Sequence, residues 1–350
     1  MENLILNETP VRTSNNFKIN NIQLEDIEIP KKIKKFEKID IIKGNSIQID
    51  ENLENIKLTY GNGKVLEENV YENANNKMNI TINKKEDLNI IYNFDDNNLE
   101  LINNIQITAN SNSNIVIKYQ SNTNKKCFHN GIIKLNTKPN THVNVTIINL
   151  LNNESQNFES IENTLQDNSK VNYTIIDLGA KNSISNYYSN IIGKKAINDL
   201  KTIYLGIENQ LKDINYITQL RGEKSLVDID VQGVLNDFAK KNFKGTIDFK
   251  KGSKKSKGNE NEYCMLLSEK AKSIALPMLL CTEEDVEGNH STSSGKVDKQ
   301  KLFYILSRGI EYKEAIKLMI KSRFNKILER IEKEEFKNEI LLEIDRRLDK

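Results

Sequence analysis

The chain has 350 residues, 37% of them hydrophobic and 29% charged, with a formal net charge of +2, which allows one large domain or two of ordinary size. Near-cancelling charge leaves no global basic field to draw nucleic acid or an anionic membrane, and no run of about 18 apolar residues suggests a membrane span. Three scattered cysteines (Cys127, Cys264, Cys281) without CxxC spacing fit free thiols in a reduced compartment better than a disulfide framework, and supply no four-thiolate site for a stably bound cluster.

The N-terminus, MENLILNETPVRTSNNF, has no apolar core with basic flanks, so no secretory signal is expected and the cytoplasm is the expected location. Residues 1–40, with charged stretches at Glu25–Glu28 and Lys31–Lys35, are expected to form an arm or short helical segment. From about Ile41 to Phe249 short β-branched runs alternate with Asn, Asp, Ser and Lys clusters. In Asn79-Ile80-Thr81-Ile82 or Val143-Asn144-Val145-Thr146-Ile147 the period of two marks strands buried on one face.

Polar turns leading into apolar positions recur at Asn112, Asn140 and Asn168, 28 residues apart, and Val227-Asp228-Ile229 falls in the same phase two intervals on. Short strands repeating at this interval suggest a solenoid whose coils stack strand on strand. A β-sandwich with evenly spaced turns fits the spacing as well, and abundant asparagine makes chance matches easier.

Beyond the Gly- and Lys-rich stretch 250–258, which lacks a phosphate-loop pattern and reads as a solvated turn, the character becomes helical. Asp298 is the expected N-cap of a short helix stopped by Gly309. Apolar stripes at Ala315, Ile316, Met319, Ile320, Phe324, Ile327 and Leu328, then at Phe336, Ile340, Leu341 and Ile344, predict two amphipathic helices.

The segment Pro277–His290, continuing through Gly295-Lys296-Val297-Asp298 and Leu302-Phe303-Tyr304-Ile305-Leu306-Ser307-Arg308-Gly309-Ile310 to Glu314-Ala315, resembles the SufB/SufD family of iron–sulfur cluster assembly proteins. This resemblance implies a mainly β fold: a right-handed parallel β-helix core over 41–285, a C-terminal α-helical region over 286–350 and the short N-terminal arm. It further implies a non-catalytic subunit that pairs with a SufB-like scaffold and docks the SufC ATPase, with a homodimer as the alternative for the chain in isolation.

Within the family, His290-Ser291-Thr292-Ser293 departs from the scaffold's His-Glu-Ala-Thr, and Gly288 stands where SufD relatives carry cysteine. The scaffold's essential cysteine would fall near Glu262, two residues from Cys264. These departures favour the SufD side. They leave His290 as the first candidate for an iron ligand or proton carrier at the subunit junction, and Cys264 as a weaker one.

Iron or a nascent cluster would be held there only transiently, and no residue pattern bears on a flavin in the complex. The resemblance places SufC docking on Phe303, Tyr304, Arg308, Gly309, Ile310, Ala315 and Met319. By chemistry alone the better reading of His290 is a side chain that hydrogen-bonds a loop and caps the first C-terminal helix, a preference the resemblance reverses, and Arg308–Gly309 could be a plain helix terminus. Cys127 and His129 make only a two-ligand fragment, and His142 opens a strand; structural roles suit all three. Cys264 and Cys281, in apolar surroundings, read as small packing hydrophobes. The rivals are a self-sufficient, homodimeric SufB-like scaffold and a carbohydrate-active β-helix enzyme, whose catalytic ladder of charged residues is not evident.

Overall fold

The structure is a computed structural model that describes residues 2–13, 19–31, 33–54 and 57–349. Two nine-stranded sheets form the body. Sheet I runs in space from Ile39–Lys43 through Glu86–Phe94, Ser113–Ser121, His142–Leu150, Lys170–Asp177, Ile197–Gly206, Leu226–Leu235 and Ser256–Leu266 to Val286–Lys296. Sheet II takes the strands between these, from Gln48–Asp50 to Lys272–Cys281. The chain thus alternates between sheets, and each strand lies parallel to its equivalent one coil earlier: a parallel β-helix, as expected.

Period-two sequence builds the lumen. Val143 stacks on Val171 and Val145 on Tyr173, their side chains pointing inward, while Asn144 stacks on Asn172 outside. One interior cluster runs from Ile80 to Phe249 and beyond, and each fully buried aliphatic side chain adds about 1.5–3 kcal/mol. Tyrosines fill the lumen, with hydroxyls tied to inward amides: Tyr173 donates to Asn163 Oδ1 at 2.8 Å and Tyr187 to Asn198 Oδ1 at 2.6 Å.

The 28-residue spacing holds between Val143 and Val171, and Val227 lies above both through Asn198. It fails one coil earlier, where Asn144 pairs with Asn114 at an offset of 30. Asn140 and Asn168 occupy a corner of positive φ (60° and 52°), continued by Lys195, Lys224 and Lys255. Asparagine tolerates that region better than most residues, which is why it marks the repeat there; Asn112 does not share that conformation.

Where glycine sits inside the lumen, space decides. A Cβ on Gly233 would lie 1.7 Å from Tyr204 Cζ. Gly233→Ala should therefore destabilise the chain by roughly 3 kcal/mol, the upper range for overpacking, read as a lower urea midpoint; an unchanged midpoint would refute this packing.

Both outer faces are covered. Helices α3 (Tyr312–Leu328) and α4 (Glu334–Leu348) lay Ile320, Phe324, Ile327, Phe336, Ile340 and Ile344 over Ile148, Ile176, Ile203 and Val234 of sheet I. On sheet II, the antiparallel pair Glu2–Leu6 and Ile22–Ile27, with helix α1 (Lys64–Asn73), lays Leu4, Leu6, Leu24, Leu66 and Val70 over Ile102, Phe128, Phe158 and Ile184. The remaining helix, α2 (Lys299–Ser307), buries none of its residues; Asp298 caps it by accepting from Gln300 and Lys301 N–H, and Gly309 follows at φ 85°.

Of the arm or short helical segment expected over residues 1–40, the described residues form the arm: apolar alternation in Leu4 and Leu6 makes a strand that clasps sheet II. Residues 14–18 and 32 of that expected arm lie outside the described residues. The helical region does not begin at 286: Val286–Lys296 pairs along its whole length with Ser256–Leu266, and helix starts only at Lys299. Helix α1 lies inside the stretch whose alternation predicts strands alone.

The two ends differ. At the first, Ile39–Lys43 and Gln48–Asp50 lie antiparallel on the opening coil as the edge strands of the two sheets, and Phe36 and Ile47 are buried in the lumen cluster. At the last, Lys272–Cys281 and Val286–Lys296 have a strand on one side only.

Candidate functional site

The open end is built from one alternating segment. On Ser256–Leu266, Gly258, Glu260, Glu262 and Cys264 are buried toward the lumen, while Asn259, Asn261 and Tyr263 face outward. The final strand stacks on it residue for residue: Gly288 on Gly258, His290 on Glu260, Thr292 on Glu262 and Ser294 on Cys264. Because nothing stacks further, His290 is exposed although it continues an inward-facing row.

Beneath it lies a charged cluster. Lys241 and Glu262, both essentially without solvent access, form an ion pair of 2.8 Å. Tyr204 donates to Glu262 Oε1 at 3.1 Å, and Lys241 also donates to the Ile274 carbonyl at 3.2 Å. Glu260 differs: both its carboxyl oxygens are buried without a hydrogen-bond partner. Burial, with the Glu262 charge adding to it, pushes its pKa up to about 8. Gly245 makes the room, since a Cβ there would lie 2.2 Å from Glu260 Oε1.

Cys264 is fully buried, and burial pushes its thiol pKa up, which disfavours the thiolate a cluster ligand needs. Cys281 is exposed rather than packed, its thiol donating to the Glu283 carbonyl at 2.8 Å, because it ends the last strand of sheet II. Farther back, His129 is sealed between Asn157 (2.6 Å) and Asn103 (2.9 Å), and burial takes its pKa down to about 4. Cys127 is buried beside Ser121, and His142 lies near Asn172. Among the described residues, no three His, Cys, Asp or Glu side chains gather as a metal-ligand set.

The helical candidates divide. Phe303 (73% exposed), Tyr304 (59%), Arg308 and Ile310 form an exposed ridge on and after α2, with the Arg308 guanidinium 5.2 Å from the Tyr304 ring. Gly309 supplies the turn between α2 and α3, and Met319 is half-buried. Ala315 is fully buried, which removes it from any docking surface. A cleft of about 760 Å³ lies between α2, the start of α3 and the outer face of sheet I; Tyr263, Lys301, Tyr304, Leu318 and Arg323 line it. The Arg323 guanidinium packs 3.2 Å over the Tyr263 ring.

Sequence reading missed the Lys241–Glu262–Tyr204 cluster and the burial of Glu260. The signal was present as charged residues at alternate positions with Gly258 and Cys264, but Lys241 and Tyr204 come from other coils. No helix among the described residues is long and apolar enough to cross a membrane.

Residues 92–323 match the family model described as SUF system FeS cluster assembly, SufBD core domain. The chain is similar to the iron-sulfur cluster assembly protein SufD of Bacillus subtilis, 28% identical over 264 residues, covering 74% of this chain and 60% of the relative. A SufBD family protein of Pyrococcus horikoshii is 29% identical over 151 residues (42% of this chain, 33% of the relative). SufD of Plasmodium berghei is 24% identical over 336 residues (79% and 25%). The chain thus spans no more than 60% of the length of these relatives.

Proposed function

This chain belongs to the SufB/SufD family of SUF iron–sulfur cluster assembly proteins, and from that premise we propose that it is a non-catalytic assembly subunit of the SufD kind. In this reading its open β-helix end meets the matching end of a SufB-like scaffold, and α2 with the start of α3 holds a SufC ATPase. His290 contributes one ligand or proton carrier for iron or a nascent cluster at the junction; iron and sulfur are cargo, not residents.

The observation that carries this reading is the unpaired final coil with His290 exposed on it. Bare strand edges are templates for a partner's backbone, and natural proteins cover or blunt them. At the opposite end of the same solenoid the edge strands run antiparallel to the coils. Burial of Cys264 argues against a self-sufficient scaffold using that thiol.

Docking on α2 is tested without disturbing the fold. Deleting residues 298–350 would strip sheet I of Ile320, Phe324 and Ile340, so loss of binding would report unfolding. Phe303→Ala with Tyr304→Ala changes two exposed side chains on a helix with no fully buried residue. The pair should leave thermal stability unchanged and weaken SufC co-purification at least tenfold, as expected for aromatic anchors. Full SufC recovery would reject the assignment. Co-expression with SufB and SufC tests the whole reading: a chain that never enters their complex is not this subunit.

A further inference from the structure

Beyond Gly258 and Glu262 on its own strand, Glu260 meets lumen-facing residues of three other strands. Ile229 lies beside it one coil earlier, His290 one coil later, and Gly245 across the lumen. Ile229 and Gly245 offer no side-chain donor, so His290 is the one of the three that can answer its carboxyl. Glu260 is fully buried, with neither oxygen hydrogen-bonded, while the imidazole above it stands in solvent. Adjacent strands lie about 4.8 Å apart, which lets a same-face imidazole turn onto a carboxylate one strand below.

We propose that Glu260 is the positioning residue for His290: a carboxyl oxygen accepts one imidazole N–H, fixing the tautomer and presenting the other ring nitrogen to the open end of the solenoid. The inference rests on the reading of His290 as the iron-side residue. A ring hydrogen bond to an oxygen acceptor fixes the tautomer and the direction of a metal-binding histidine. It gives a function to a carboxyl that otherwise only costs stability, since burying an unpartnered acid is unfavourable. Gly245 then belongs to the same device, because any side chain there would collide with the carboxyl.

The chain has three histidines, so the ring nitrogens of His290 can be assigned in a ¹⁵N-labelled sample with His290→Gln as the reference. In the wild type one tautomer should dominate once the ring is neutral. Glu260→Leu should move its shifts toward the mixture of a free imidazole. Glu260→Gln, whose amide oxygen still accepts an N–H, should restore the wild-type pattern.

With Zn²⁺ as the diamagnetic probe, Glu260→Leu should weaken binding roughly tenfold or more, the usual effect of losing such a partner, and Glu260→Gln far less. Thermal melting should be no lower in Glu260→Leu than in the wild type, so a merely structural role would not give this pattern. Unchanged His290 shifts in Glu260→Leu overturn the proposal. Zn²⁺ binding that survives His290→Ala would instead overturn the iron-side reading of His290, with the tautomer comparison still deciding the role of Glu260.

Discussion

Lys241→Met should destabilise the chain by about 3–5 kcal/mol, the largest loss expected from changing one side chain of this lumen. Lys241 and Glu262 are buried to the same extent, 0% and 1% exposed side chains, and the ammonium makes 2.8 Å and 3.2 Å contacts to Glu262 and the Ile274 carbonyl. Removing the cation leaves Glu262 charged in a dry lumen, with only the Tyr204 hydroxyl to answer it, and beside the already unpartnered Glu260. Breaking one side of a buried pair costs far more than the pair contributes. The double change Lys241→Met with Glu262→Leu should therefore recover most of the loss, giving a strongly non-additive cycle. Denaturant unfolding of the four proteins checks this, and additive losses would show that the two charges are not partners.

The second large effect is on the pH dependence of stability. Burial raises Glu159 and Glu260 from the ordinary carboxylate value to about 8 in the folded chain. Between pH 4.5 and 8 the folded protein therefore holds two protons that the unfolded chain releases. Stability falls as pH rises through this window, and the full cost is reached above the folded values. Each tenfold change in proton affinity corresponds to about 1.36 kcal/mol, so the two groups together amount to on the order of several kcal/mol. His129 acts the other way. Burial lowers it to about 4, so the unfolded chain gains the extra proton below its ordinary value of 6.5 and stability falls as pH drops toward 4. Urea midpoints from about pH 5 to 9 should decline in the wild type and flatten in Glu159→Gln with Glu260→Gln. Parallel curves for the two proteins would exclude these carboxyls as the source.

Much of the architecture is legible in the sequence because it is local and periodic. Alternation at Val143, Val145 and Ile147 announces a one-faced strand, and Asp298 and Gly309 announce the limits of α2. Register is legible only where a corner demands positive φ, as at Asn140 and Asn168; at Asn112 a similar string has no such constraint, and an offset of 28 there falls two residues short. The site is half legible. His290 stands out by its surroundings, whereas Glu260 and Lys241 are ordinary surface residues by type. What makes them otherwise is the stacking of distant coils, with Lys241 reaching Glu262 across the lumen and Glu260 lying under His290. The strand through Lys296 is hidden because Ser291–Ser294 carry no apolar alternation; an edge that other strands do not cover needs none.

The unlike ends of the solenoid also give the molecule a polarity. Both ends leave strand edges without a neighbour, Ile39–Lys43 and Gln48–Asp50 at the first and Lys272–Cys281 and Val286–Lys296 at the last. At the first end the chain direction reverses, and Phe36 and Ile47 are buried in the lumen cluster. At the last end the strands keep the direction of the coils, and the lumen rows run out to His290. A strand that continues the coil in parallel register therefore finds its template only at the last end, so the direction of the chain at residues 39–50 distinguishes the two ends for an arriving partner.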